Sequence, residues 1–156
     1  MSADGAEASP FLTEPAPNPR PQSLQWEVVG LGAPLGLLVA FVTIVGIGSL
    51  WWEGVAWAVV GFAWIGLVWW QQPPQPFLHG FLASFAGGSV AILLQAVFID
   101  AFLASHPALE ASLAVRDISP RWFVVGTGLL GSALTGVLVG MFAAFSSPSR
   151  IARDEA

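Results

Sequence analysis

Four polar residues sit in or beside hydrocarbon-rich sequence that gives them no obvious partner: Gln95 and Asp100 in "LLQAVFIDAFL", and His79 and His106 on either side of it. An ionisable group deep in a bilayer marks a functional site by default, so depth has to be settled first. The apolar run from Phe77 to Leu103 is centred near Val90. Asp100 then lies about 15 Å from the centre at the helical rise, at the hydrocarbon boundary. There it is either an interfacial acid, solvated or paired with Arg116 or Arg121, or a group that handles ions or protons. Gln95 is deeper. It follows Ala91 by one helical turn and is level with Ser132 in the next long run, so a bond to Ser132 or Thr135 would stabilise packing by about 1 kcal/mol. The alternative for Gln95 is an amide that contacts a ligand.

The histidines do not form a metal site by themselves. They are separated by 27 residues, about 40 Å if helical, which sets them on opposite sides of a membrane as interfacial residues. Glu53, beside Trp51 and Trp52, reads as a boundary acid in a loop tip. No Ser–His–Asp grouping, paired carboxylates at bilayer depth, HExxH or phosphate-cradling loop can be assembled from the sequence. Gly126, Gly128 and Gly131 spell GxGxxG, but inside an apolar run with no βαβ unit around it. There is no cysteine, which excludes disulfides and thiolate metal sites. The expectation is a non-enzymatic chain without cofactor or metal.

The elements that must position these residues follow from composition. Of the 156 residues, 55% are hydrophobic and 10% charged, with a mean hydropathy of +0.72, against a globular norm of about 25% charged. The bilayer is the expected solvent. Ten acids against five arginines give a net charge of −5, which argues against nucleic-acid binding. Residues 1–25 are acidic and proline-rich, without the basic and apolar regions of a signal peptide, and read as a disordered tail.

Four runs approach the roughly 20 residues that a crossing needs: about 28–50, 55–70, 77–103 and 122–145. Lipid offers backbone amides no partner, so these runs must be helical. The predicted fold is all-α, an integral membrane bundle of four transmembrane helices, with the domain at 26–147 and a polar tail at 148–156. Tryptophans prefer the headgroup level, and Trp26, Trp51, Trp52, Trp69, Trp70 and Trp122 mark helix ends as interfacial residues. Pro34 falls inside the first span, where it kinks the helix or marks its true start. Ser119 and Pro120 form a cap and first position for the fourth. Residues 107–117 suggest a short interfacial helix with Leu109 and Leu113 toward the membrane. Arg20, Arg150 and Arg153 near the termini, against Arg116 and Arg121 in the third linker, favour cytoplasmic termini by the positive-inside rule.

Small residues mark where helices meet in lipid. Gly128, Ser132, Gly136 and Gly140 are spaced by four and form one groove. Gly80, Ser84 and Gly88, with Ala83, Gly87 and Ala91 beside them, do the same in the third span, and Gly32 and Gly36 in the first. The groove predicts either contact among the first, third and fourth helices or an oligomeric seam.

The run "FLHGFLASFAGGSVAILLQAVFIDAFLASHPALEASL" followed by "ISPRWFVVGTGLLGSALTGVLVGMFAAF" resembles the second half of small bacterial four-span inner-membrane proteins of the domain-of-unknown-function type. The resemblance covers about half the chain and implies a fold and a bacterial inner-membrane location; no activity or site follows from it. On packing glycines and scarce buried charge, the expected role is a non-enzymatic assembly, scaffold or regulatory subunit, with the lipid bilayer and a second copy or another membrane protein as partners. The alternative is a small transporter or channel protomer, with Gln95, Ser132 and Thr135 along a path and Asp100 at its mouth.

Overall fold

The computed structural model describes residues 23–46 and 50–146, and every regular element among them is helical. The acidic tail, apart from residues 23–25, and the segment 148–156 lie outside the described residues, and so do Arg20, Arg150 and Arg153. Four helical stretches are long and apolar enough to cross a membrane: Trp26–Val45, Trp51–Gln71, Pro76–Val97 and Pro120–Phe145. The architecture is that of a multi-pass membrane protein.

The first crossing has two parts, α1 (Trp26–Gly32) and α2 (Leu35–Val45). Pro34 lacks the N–H that would reach the carbonyl of Gly30. The turn tightens instead, with Gly36 N–H on the Ala33 carbonyl and Leu37 N–H on that of Pro34, both at 3.0 Å. The carbonyl of Gly32 is thereby released, and the indole N–H of Trp64 takes it at 2.9 Å. Trp64 is fully buried, so a proline in one helix accounts for a tryptophan inside the bundle. The crossing stops at Val45, short of the predicted Leu50, because Gly46 turns left-handed at φ +68°, a conformation that glycine adopts without steric cost.

The second crossing, α3 (Leu50–Gln71), begins earlier than its hydropathy suggests and includes Trp51, Trp52 and Glu53. Glu53 is therefore in the first helical turn and not at a loop tip, a position that the helix dipole favours for an acid. In the third crossing, α4 (Pro76–Val97) is followed at Phe98 (φ −97°, ψ 39°) by a separate α5 (Ile99–Ser105). The single helix expected over 77–103 is thus broken. Backbone bonding runs from Phe98 N–H to Leu94 and resumes from Phe102 N–H to Phe98. The carbonyl of Ala96 is left to the guanidinium Nε–H of Arg121, at 3.0 Å. α6 (Pro107–Val115) has Leu113 buried and Leu109 half-buried beneath it, and α7 (Pro120–Phe145) completes the bundle.

α4 is the central helix. One face lies against α7 and another against α1 and α2, while α3 bridges α2 and α7. On the α7 side, added methyls at Gly140, Gly136 and Gly128 would meet Phe77, Phe81 and Ile92, and one at Gly88 would strike Ser132. Each four-residue step forward on α7 is matched by a step back on α4, so the two are antiparallel. On the other side Gly32 meets Ala83 and Gly36 lies on the carbonyl of Gly87, so α1 and α2 run parallel to α4. The small-residue grooves are filled within this one chain. His79, fully buried at the start of α4, joins the same seam: its Nε2 accepts the backbone N–H of Gln25 at 2.8 Å, and its Nδ1 lies 2.8 Å from the carbonyl of Gln75. Since Nε2 accepts, the proton is on Nδ1. The histidine expected at the membrane boundary does lie at a helix start, where it is enclosed as a clamp on the start of α1.

Candidate functional site

Thr43 is the one hydroxyl residue of α2. Like many serines and threonines in apolar helices it turns back on its own backbone, donating to the carbonyls of Val39 at 3.0 Å and Ala40 at 3.1 Å. Its lone pairs then remain for a neighbour, and the side-chain amide of Gln95 donates to its Oγ1 at 2.8 Å. That contact fixes the orientation of the amide, because a hydroxyl whose proton is engaged can only accept.

Gln95 therefore reaches α2, and the expected bond to Ser132 or Thr135 on α7 is absent. The reason is helical phase. Ala83, Gly87 and Ala91 precede Gln95 at four-residue intervals and form the stripe that faces α1 and α2; Gly80, Ser84, Gly88 and Ile92 form the stripe next to it, toward α7. Ser132, 3% exposed, is left with a hydroxyl that has no hydrogen-bond partner among the described residues.

These groups line one cavity of about 400 Å³, together with Glu53, Trp57, Ile92, Phe102, Gly128, Gly131 and Thr135. It lies between α2, α3, α4, α5 and α7, toward the end of the bundle where α3 begins. At that end Glu53 Oε1 is 2.7 Å from His106 Nε2, with both side chains mostly enclosed. His106 Nδ1 is 2.9 Å from Ser105 Oγ and 2.8 Å from the carbonyl of Phe102. Ser105 Oγ in turn has the carbonyls of Thr43 at 2.9 Å and Phe102 at 2.7 Å within reach. The Phe102 ring stacks on the imidazole with centroids 4.3 Å apart. A polar chain thus connects the carboxylate of α3 to the backbone of α2 at Thr43, the same residue that anchors Gln95.

Ser105, His106 and Glu53 form a serine–histidine–acid line that could not be assembled from the sequence. Its surroundings are those of a strut. Ser105 packs against Gly46, where an added methyl would come within 2.7 Å of its Cβ, and neither Ser105 nor His106 lines the cavity. As metal ligands Glu53 and His106 are two, and no third histidine, cysteine, aspartate or glutamate joins them among the described residues; a closed structural zinc site needs four.

The expected path residues are thus only partly brought together. Gln95, Ser132 and Thr135 share the cavity, whereas Asp100 lines a different one, of about 440 Å³, with Ile99, Leu103, Ser119, Pro120, Arg121 and Trp122. Asp100 is exposed and forms no ion pair among the described residues. Helical phase alone turns Asp100 about 140° from Gln95, and the break at Phe98 falls between the two. The carboxylate at the cavity wall is Glu53. Sequence reasoning missed Thr43, the Glu53–His106 pair and Trp57. The available signals were a lone hydroxyl in α2 and the four-residue spacing of Glu53 and Trp57, which puts both on one helical face. Among known proteins, no family model matches the chain, and no curated protein or solved structure is significantly similar to it.

Proposed function

We propose that this chain is a small transporter or channel protomer whose cavity admits a small polar solute part-way into the bilayer. The carrying observation is the cavity wall: the Glu53 carboxylate in the first turn of α3 leads to Thr43, Gln95, Ser132 and Thr135 within the apolar spans, where polar groups are costly unless they serve a function. Its volume of about 400 Å³ falls within the range of small-molecule sites. Ser132, with no hydrogen-bond partner among the described residues, supplies an open hydrogen-bonding position. Bacterial inner-membrane location and cytoplasmic termini belong to the same proposal.

The test uses the absence of native cysteine. Thr135→Cys should react with a membrane-impermeant thiol reagent, and Leu134→Cys, at a position 59% exposed and facing lipid at the same depth, should not. In proteoliposomes swelling in iso-osmotic glycerol, urea or choline chloride, wild type should exceed protein-free vesicles in at least one solute. Gln95→Leu should slow that swelling and Asp100→Asn should leave it unchanged. An unreactive Thr135→Cys together with swelling no faster than protein-free vesicles would remove the proposal.

The assembly role has one observation in its favour. α3 is enclosed over only 17% of its most apolar window, against 44% for α4, and presents Val59, Phe62, Trp69 and Trp70 outward. If that face meets a second copy, Phe62→Cys should form a disulfide-linked dimer in native membranes, and a monomer under oxidation would argue against it.

A further inference from the structure

The charge and the aromatic groups of the cavity name a class of solute, an inference that rests on the transport reading above. Among the described residues Glu53 is the one charged side chain in the wall, and no lysine or arginine lines it. His106 engages Oε1 of its carboxylate, and Oε2 has no hydrogen-bond or ion-pair partner among the described residues. Trp57 follows one turn later on the same face of α3, and Phe102 of α5 also lines the wall. The amide nitrogen of Gln95 and the hydroxyl proton of Thr43 are both committed to the protein, which leaves the Gln95 amide oxygen as an acceptor. A carboxylate, two aromatic rings and a free carbonyl oxygen around one partly desolvated space are complementary to positive charge spread over alkyl groups.

We infer that the cavity binds a small organic ammonium ion, which takes the Glu53 carboxylate in competition with His106. Anions are opposed by Glu53, and a neutral solute makes no use of the carboxylate. Competition follows from geometry, since His106 already occupies one oxygen at 2.7 Å and its ring covers one face of Phe102. Departure of His106 from Glu53 uncovers Oε1, so that both carboxylate oxygens are open, and frees that ring face. The ammonium group has two possible sources, a free solute or the headgroup of a zwitterionic lipid.

The experiment is titration calorimetry on the full chain in phosphatidylglycerol nanodiscs at constant ionic strength. The probes are choline and its uncharged carbon isostere, 3,3-dimethylbutan-1-ol. Choline should bind at least about tenfold more tightly than the isostere, the factor expected of a partly desolvated cation site. Glu53→Gln should abolish that preference, and Trp57→Leu should weaken choline while leaving the isostere unchanged. His106→Gln should tighten choline binding by removing the competitor, a gain that a misfolded variant cannot imitate. Weaker choline binding in phosphatidylcholine nanodiscs assigns the ammonium to a headgroup, and unchanged binding assigns it to a free solute. Equal affinity for both probes, no choline binding by wild type, or no gain in His106→Gln overturns the inference. If Thr135→Cys remains reactive and the vesicles still swell in glycerol or urea, that failure leaves the transport reading standing.

Discussion

At the residue scale, the bond between Thr43 and Gln95 has the most at stake. Removing one partner leaves a polar group buried in an apolar bundle, at a cost of about 1–3 kcal/mol, whereas removing both leaves nothing unpaired. Thr43→Val and Gln95→Leu should each lower stability, and the double variant should fall short of their sum by about 0.6 kcal/mol, the average coupling measured between helices in lipid, and by no more than about 1.7 kcal/mol. Unfolding in mixed micelles by a denaturing detergent gives all four values, and additive single effects would show that the bond carries no coupling. Gln95 could be identified from the sequence because an amide in a hydrophobic run stands out. Its partner could not, because Ser132 and Thr43 satisfy the same depth argument and only the phase of α4 against two neighbours decides between them. The Glu53–His106 contact was still further from view, since it depends on Glu53 being helical and on a break at Phe98 that no proline or glycine announces.

At the element scale, both breaks follow one physical rule. A helix interrupted inside a bundle releases carbonyls that lipid cannot satisfy, and a long donor from another crossing takes one of them: Trp64 for Gly32 and Arg121 for Ala96. Pro34 announces the first break in the sequence, whereas the second arises from tertiary packing of Phe102 and Leu103 with Leu113 and Val124. The glycine seams were legible as spacing, although spacing alone left open whether they faced inward or toward another copy. A graded prediction separates structural glycines from incidental ones. Gly36→Ala places a methyl on the carbonyl of Gly87, and since backbone cannot rotate away, α2 must move off α4. Gly30→Ala meets nothing within 4 Å. The first should destabilise by about 1–3 kcal/mol or more, and the second should be neutral or slightly stabilising through helix propensity. Thermal unfolding in detergent compares them, and equal midpoints would contradict the close approach of α2 and α4.

At the scale of the whole molecule, membrane class, helical fold and the number of crossings were legible because they depend on composition and run length alone. The cavity was not, since its wall takes residues from five helices and exists only once they are assembled. The same assembly fixes which ends of the helices share a side. His79 accepts the N–H of Gln25, so α1 and α4 begin together, and α7, antiparallel to α4, ends beside them near Phe145. Glu53, at the start of α3, meets His106 beyond the end of α5, so the cavity opens toward the face that carries α6. Pro74, exposed between α3 and α4, and Asp117, exposed between α6 and α7, must then face opposite compartments. In sealed vesicles of one orientation, an impermeant thiol reagent added outside should label only one of Pro74→Cys and Asp117→Cys, and permeabilisation should expose the other. Thr135→Cys should follow Asp117→Cys, because its cavity is on that side. Labelling of Pro74→Cys and Asp117→Cys from the same side would require an even number of crossings between them, and the antiparallel pairing of α4 with α7 would then be wrong. Labelling of Thr135→Cys together with Pro74→Cys would leave the bundle intact and move the mouth of the cavity to its other end.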